Sequence, residues 1–281
     1  MIQIITDSTC DLPPEIIARY GIKIIPLQLI FGDETLRDGL DISYEEFFRR
    51  LRLANPLPTT SQPPVGVFKA AFEESLREGH EVLGIFISSR LSGTFATAEA
   101  AKELLPGEPI TLVDSLSTSL GMGLQVIAAA RAVERGASRE EAAALVVRLR
   151  EKIRVYFTLD TLDYLHRGGR IGGAQAFLGT LLNVKPLLIL RDGRVEAYER
   201  VRTKRKALER MLEAVLSEVG PEPAFIGVLH GEAEAEAKML AEQAHTRARC
   251  QEMLTSTITP VLAAHTGPGV VGIVACPNGI L

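Results

Sequence analysis

The sequence predicts an α/β protein of two domains, a parallel-sheet α/β domain over residues 1–155 and a mixed α+β domain over residues 156–281. Three observations carry this expectation. At 281 residues the chain exceeds the size that one hydrophobic core usually serves, so two domains are the default. In the first half, short apolar runs alternate with helical patterns, as in a parallel sheet built from βα units. In the second half the strand-like runs cluster and the helices are fewer, which suits a mixed, partly antiparallel sheet.

Taken in order, Ile2 to Ile5, Ile22 to Leu29, Val82 to Ile87 and Ile110 to Val113 read as strands of the first domain. Amphipathic helices are expected near Pro14 to Tyr20, Tyr44 to Leu53, Val67 to Glu78 and Thr94 to Leu105. A longer helical region follows, from about Leu120 to Glu134 and again from Arg139 to Lys152. Ser138 with Glu141 three places on forms a capping box ahead of Ala142 to Leu149, which fixes that helix start. In the second domain, Tyr156 to Leu159, Pro186 to Leu190, Val195 to Arg200, Ala224 to Leu229 and Val270 to Ala275 are expected strands. Helices are placed near Thr161 to Arg167, Thr203 to Ser217 and Ala233 to Arg247.

Composition narrows the function. With 46% hydrophobic and 23% charged residues the chain is globular. Its net charge of −4 and dispersed Lys and Arg residues argue against nucleic acid, which needs a basic face. The opening Met1-Ile2-Gln3-Ile4-Ile5-Thr6-Asp7 lacks a basic leader region and meets a charge at once, so it reads as a strand rather than a signal peptide. No apolar run is long enough for a transmembrane segment, and a cytoplasmic location is expected. Cys10, Cys250 and Cys276 are odd in number and far apart, which supports neither a zinc site nor a disulfide framework. Cys10, beside Asp7 and Ser8, reads either as a small half-buried residue or as a nucleophilic thiol.

The chemistry concentrates in hydroxyl-rich turns. Thr6-Asp7-Ser8-Thr9, Ser88-Ser89 and Asp114-Ser115 follow predicted strands, and ligands of open parallel sheets bind beyond such strand ends. Thr59-Thr60-Ser61-Gln62-Pro63 is a further hydroxyl-rich loop. Ser92-Gly93-Thr94 opens a helix, where free N–H groups and the dipole favour an anion. Ser92 reads equally as an ordinary N-cap, Asp7 and Asp114 as loop ties, and Thr60 and Ser61 as caps of the helix after Pro64. His265 stands in the glycine-studded turn Ala263-Ala264-His265-Thr266-Gly267-Pro268-Gly269, whose glycines suit a loop lying close against another group. An imidazole titrating near neutrality would pair there with an anion or shuttle a proton, or serve structure alone. Gly168-Gly169-Arg170-Ile171-Gly172-Gly173 reads as a flexible loop carrying an exposed guanidinium, or as a plain turn. No Walker loop or nucleophile elbow is present, and Gly267-Pro268-Gly269-Val270-Val271-Gly272 runs into a strand where a dinucleotide fingerprint must open a helix.

These residues bring the sequence to a known family. Across nearly its whole length the chain resembles the DegV family of bacterial fatty-acid-binding proteins. The likeness rests on Thr6-Asp7-Ser8-Thr9 with Asp11-Leu12-Pro13, Thr60-Ser61-Gln62-Pro63, Ser89 with Leu91-Ser92-Gly93-Thr94, Val113-Asp114-Ser115, Gly168-Gly169-Arg170-Ile171-Gly172 and His265-Thr266-Gly267-Pro268-Gly269. The resemblance implies a non-enzymatic protein, free of cofactor and metal, that holds one long-chain fatty acid. The tail would lie in an apolar tunnel and the carboxylate at the domain junction. It further implies that Thr60, Ser61, Ser92 and His265, with Gly93 and Thr266 beside them, contact the head group, and that a separate fatty-acid kinase is the partner. Arg170 and Arg202 are then candidates for the kinase-facing surface. A Ser92- and His265-dependent hydrolase or acyltransferase stands as the alternative.

Overall fold

In the computed structural model, which describes residues 1–178 and 184–277, the predicted alternation resolves into two units. Among the described residues the first comprises Met1–Glu151 together with Thr259–Val261, and the second comprises Lys152–Ile258 and the chain from Leu262 to Pro277. The order of predicted strands and helices places the boundary near 155, and the return of residues 259–261 to the first unit has no sequence signal. The end of the predicted second domain, residues 278–281, lies outside the described residues.

The first unit runs β1 (Ile2–Asp7), α1 (Pro14–Tyr20), β2 (Lys23–Ile25), β3 (Gln28–Phe31), β4 (Glu34–Arg37), α2 (Tyr44–Leu51), β5 (Thr59–Ser61), α3 (Val65–Arg77), β6 (Glu81–Phe86), α4 (Thr94–Glu103), β7 (Ile110–Asp114), α5 (Ser119–Glu134) and α6 (Arg139–Leu149). Four strands form a parallel sheet in the order β2-β1-β6-β7. Ile5, Val82 and Phe86 of that sheet pack with Phe68 and Phe72 of α3 and with Ala98 and Ala101 of α4. The helix α5 is buried along almost its whole length, from Ser119 to Ala130 without a break, which explains its lack of a clear polar face. The capping box is present as read, with the Ser138 hydroxyl accepting from Glu141 N and the Glu141 carboxylate accepting from Ser138 N.

One strand expectation is corrected. Ile22 to Leu29 is two strands in two sheets. It breaks at Pro26, after which β3 pairs antiparallel with β4 and β5 in a small three-stranded sheet. Proline has no N–H to donate and interrupts a ladder at that point. Thr59, Thr60 and Ser61 are accordingly the strand β5 and not a loop, and neither Thr60 nor Ser61 caps α3, whose N-cap is Pro64.

The second unit runs β8 (Arg154–Thr158), α7 (Asp163–Arg167), a 3-10 turn (Gly172–Phe177), β9 (Lys185–Arg191), β10 (Arg194–Val201), α8 (Lys204–Val219), β11 (Ala224–Gly231), α9 (Glu234–Arg247), β12 (Cys250–Thr257), α10 (Pro260–Thr266) and β13 (Val270–Pro277). Its six strands form one mixed sheet in the order β10-β9-β8-β13-β11-β12, antiparallel except for the β11/β12 pair. One face carries α8 and α9. Leu208, Met211, Leu212 and Val215 from α8 and Ala237, Leu240 and Ala244 from α9 pack there on Tyr156, Leu187, Ile226, Val228 and Ile273. Two elements, β12 and α10, have no counterpart in the sequence expectations. Through α10, His265 lies in the last turn of a helix and not in a free turn.

Candidate functional site

Several hydroxyl-rich segments of the first unit are consumed by the fold. At the end of β1 the Asp7 carboxylate accepts from Thr9 N at 2.9 Å, Thr9 Oγ1 at 2.5 Å and Ile87 N at 2.8 Å, tying the ends of β1 and β6. Burial pushes its pKa up to about 6, opposed by those three hydrogen bonds. Ser8 Oγ donates to Asp38 Oδ2 at 2.6 Å and accepts from Leu27 N at 3.1 Å. Asp114 Oδ1 accepts from Ser89 N at 3.2 Å and Leu116 N at 3.0 Å. The loop-tie reading of Asp7 and Asp114 is the one the structure supports. Cys10 is buried and its thiol is pushed upward by desolvation, which removes it as a nucleophile.

Two other segments remain accessible, and they meet. Ser61 Oγ donates to Gln28 Oε1 at 2.9 Å across the β3/β5 register, where Gln28 faces Ser61 and Leu29 faces Thr60. The amide of Gln62, the next residue, covers Gly93 so closely that a Cβ there would stand 3.1 Å from its Cδ and Nε2. Thr60 and Ser61 are thus brought beside Ser92 and Gly93 through Gln62. Ser92 Oγ and Thr94 Oγ1 share a proton contact at 2.8 Å, and Thr94 N donates to Ser92 Oγ at 3.3 Å. The N-cap position belongs to Gly93, which offers no side-chain acceptor, so the first turn of α4 is open to an anion. Gln28 was missed by the sequence reading, and Gln62 entered it only as part of the Thr60-Ser61-Gln62-Pro63 motif, with no role of its own. The signal at Gln28 was position alone, a lone amide inside an apolar run.

In the second unit the glycines around His265 have a plain explanation. What lies against them is the protein itself. A Cβ at Gly267 would collide with the Tyr164 ring, one at Gly269 with the Asp160 carboxylate, and one at Gly168 with Nδ1 of His265. Lys204 Nζ holds this turn by donating to Gly269 O at 2.7 Å while pairing with Asp160 at 3.5 Å. Thr266 Oγ1 donates to Leu262 O at 3.1 Å, closing the end of α10.

The imidazole of His265 does not titrate near neutrality. Burial, with the Arg170 charge adding to it, lowers its pKa to about 4. A neutral ring can donate one hydrogen bond to a carboxylate, but it is a weak proton acceptor at pH 7. That weak basicity disfavours the hydrolase alternative, which needs His265 as its general base. Arg170 is also corrected: it is partly buried, with Nη1 donating to Gly168 O at 2.7 Å, and is not the exposed guanidinium expected. Arg202 is exposed. Among the described residues no group of three or more His, Cys, Asp or Glu side chains is placed to hold a metal. Among them too, no helix is long and apolar enough to cross a membrane.

A four-stranded parallel-sheet unit and a six-stranded mixed-sheet unit define the class as a two-unit α/β protein. The chain belongs to the DegV family, whose model, described as an uncharacterised protein family, matches residues 1–278. It is 39% identical over 280 residues to a DegV domain-containing protein of Deinococcus radiodurans, covering 98% of each. Among solved structures it is similar to a DegV family protein from Thermus thermophilus described for fatty acid binding, with TM-score 0.93, 40% identity and 99% of both chains covered. It is also similar to a stearic-acid-binding protein from Eubacterium ventriosum, with TM-score 0.91 and 29% identity over 99% of this chain and 98% of that one.

Proposed function

We propose that this protein binds one long-chain fatty acid and presents its carboxylate to a separate fatty-acid kinase, doing no chemistry itself and using no cofactor. The observation that carries the reading is the full-length likeness, at 40% identity, to a protein described for fatty acid binding. In this reading Thr60, Ser61, Ser92, the backbone at Gly93, His265 and Thr266 contact the carboxylate. Hydroxyls, N–H groups and a neutral imidazole hold an anion by hydrogen bonds alone. An arginine fork would bind it more tightly and shield it from attack. Affinity then comes mainly from the alkyl chain, at roughly 0.8 kcal/mol per buried methylene. Arg202, with the accessible part of Arg170, is assigned to the kinase-facing surface, and the complex works in the cytoplasm.

Mass spectrometry of an organic extract of the purified native protein tests the reading. A single acyl species in near-equimolar amount is expected. An extract without acyl chains, combined with no saturable binding of added oleate, overturns it.

A further inference from the structure

The mixed sheet of the second unit has two edges, and the chain treats them differently. At one edge β10 carries Arg194, Glu196, Glu199 and Arg200, and its ladder to β9 shifts register between Ala197 and Glu199. The 3-10 turn of Gly172–Phe177 lies against this strand, with Arg200 Nη2 donating to Ala176 O at 2.8 Å. Charges, a bulge and a covering segment are devices that keep an edge strand from pairing with another chain. At the other edge β12 is unguarded by charge or bulge over most of its length. After an irregularity at its start, its ladder to β11 runs unbroken from Glu252 to Thr257, and Glu252 is the only charged residue of the strand. No residue of β12 is buried, whereas every residue of β11 is, and no described strand lies on its outer side. A straight edge with so little charge is a template for a further strand.

What this edge accepts is set by α9, which packs on both β11 and β12 and, as the crossover between these parallel strands, runs opposite to them. Beside the helix lies an open groove of about 480 Å³, lined on β12 by Met253 and Thr255 and on α9 by residues from Glu234 to His245. Lys238 and Glu242 stand on either side of the middle of that helical run, both exposed and neither ion-paired among the described residues. Leu254 lies between Met253 and Thr255, so a twofold axis at Leu254 passes close to the same level. Strands pair about 4.8 Å apart, and a second β12 added here would set the two α9 helices roughly 10 Å apart, a distance at which helices pack. Charge selects the register. With the axis at Leu254, Lys238 of each copy faces Glu242 of the other, Met253 lies opposite Thr255, and Glu252 lies opposite Ser256. Moving the axis one residue along the strand shifts the helices by about two residues, which sets Lys238 against its own copy in one direction and Glu242 against its own copy in the other. We infer that β12 pairs antiparallel with β12 of a second copy of this chain about a twofold axis at Leu254, joining two six-stranded sheets into one and packing α9 on its copy through reciprocal Lys238–Glu242 contacts. The inference is independent of the fatty-acid reading, since it uses none of the residues assigned to the carboxylate.

Sedimentation velocity of the full-length protein over a concentration series tests this. A reversible dimer is expected, reaching twice the mass of the chain at the highest concentration. Thr255→Lys places a charge on an exposed position of the edge, where lysine is a common guard, and is expected to weaken the dimer roughly tenfold or more while the far-ultraviolet circular dichroism spectrum stays unchanged. Lys238→Glu and Glu242→Lys each turn two attractive contacts into repulsive ones, so each should weaken the dimer roughly tenfold, and combining them should restore the native affinity. The two single changes move net charge in opposite senses, so a general charge effect cannot weaken both. A chain that stays monomeric at every concentration, including one whose edge is taken by a different protein, overturns the inference. So does a dimer that survives Thr255→Lys, single reversals without effect, or a double reversal that fails to restore association.

Discussion

Gly168 shows how a single missing methyl sets the chemistry of a neighbour. Its φ of −75° is open to any residue, so the need for glycine is steric: the imidazole of His265 occupies the space of a Cβ. Gly168→Ala is therefore expected to push the ring aside, costing about 1–3 kcal/mol of stability and lowering oleate affinity, which thermal melts and a binding titration would read. A melt and an affinity equal to the native values would contradict this placement. In the proposed site the neutral ring of His265 donates a hydrogen bond and does not exchange protons, so His265→Ala should cost roughly tenfold in oleate affinity. Kinase-dependent phosphorylation should fall in step with that loss of binding, and a much larger loss in phosphorylation at saturating oleate would refute a purely holding role.

Elements with a strong local pattern were legible, and those made by distant pairing were not. The capping box is the clearest case: Ser138→Ala should lower stability by about 1 kcal/mol, seen as a small drop in melting temperature with oleate binding unchanged. By contrast β4 is polar and mostly exposed, and β5 is Thr59-Thr60-Ser61, so neither alternates apolar and polar residues. Both are strands only because β3 lies between them and supplies their ladder partners. The edge strand β12 has the same weakness. In α10 the apolar Val261-Leu262-Ala263-Ala264 stretch was overshadowed by the glycines after it, which misplaced His265 in a turn.

Across the whole chain, the return of Thr259–Val261 to the first unit depends on buried carboxylates. Asp11 accepts from Thr259 N at 2.9 Å and from Ser119 Oγ, and Asp38 accepts from Val261 N at 3.2 Å. Burial raises Asp11 to about 8 and Asp38 to about 6, against hydrogen bonds that lower both. Between 3.8 and about 8 the folded Asp11 keeps a proton that the unfolded chain has lost, so stability falls as pH rises through that range. His265, held at about 4 against 6.5, has the opposite slope, but only below 6.5. From pH 6.5 to 8 the Asp11 effect should dominate, with a slope of at most about 1.4 kcal/mol per pH unit. Thermal melts should therefore fall across this window in the native protein and flatten in Asp11→Asn, which keeps an acceptor for Thr259 N; a flat native profile would count against it.

By itself the sequence determined the α/β class, the alternation of strands and helices, the capping box and the turns that carry family character, because hydrophobic period and cap chemistry are local properties. Which hydroxyls stay available was decided only in three dimensions, where Ser8 is engaged by Asp38 while Ser61 and Ser92 are gathered beside Gln62. So was the neutral state of His265, and so was the edge position of β12. Hydrogen-bond partners and desolvation are set by residues tens to hundreds of positions apart, and no pattern along the chain records them.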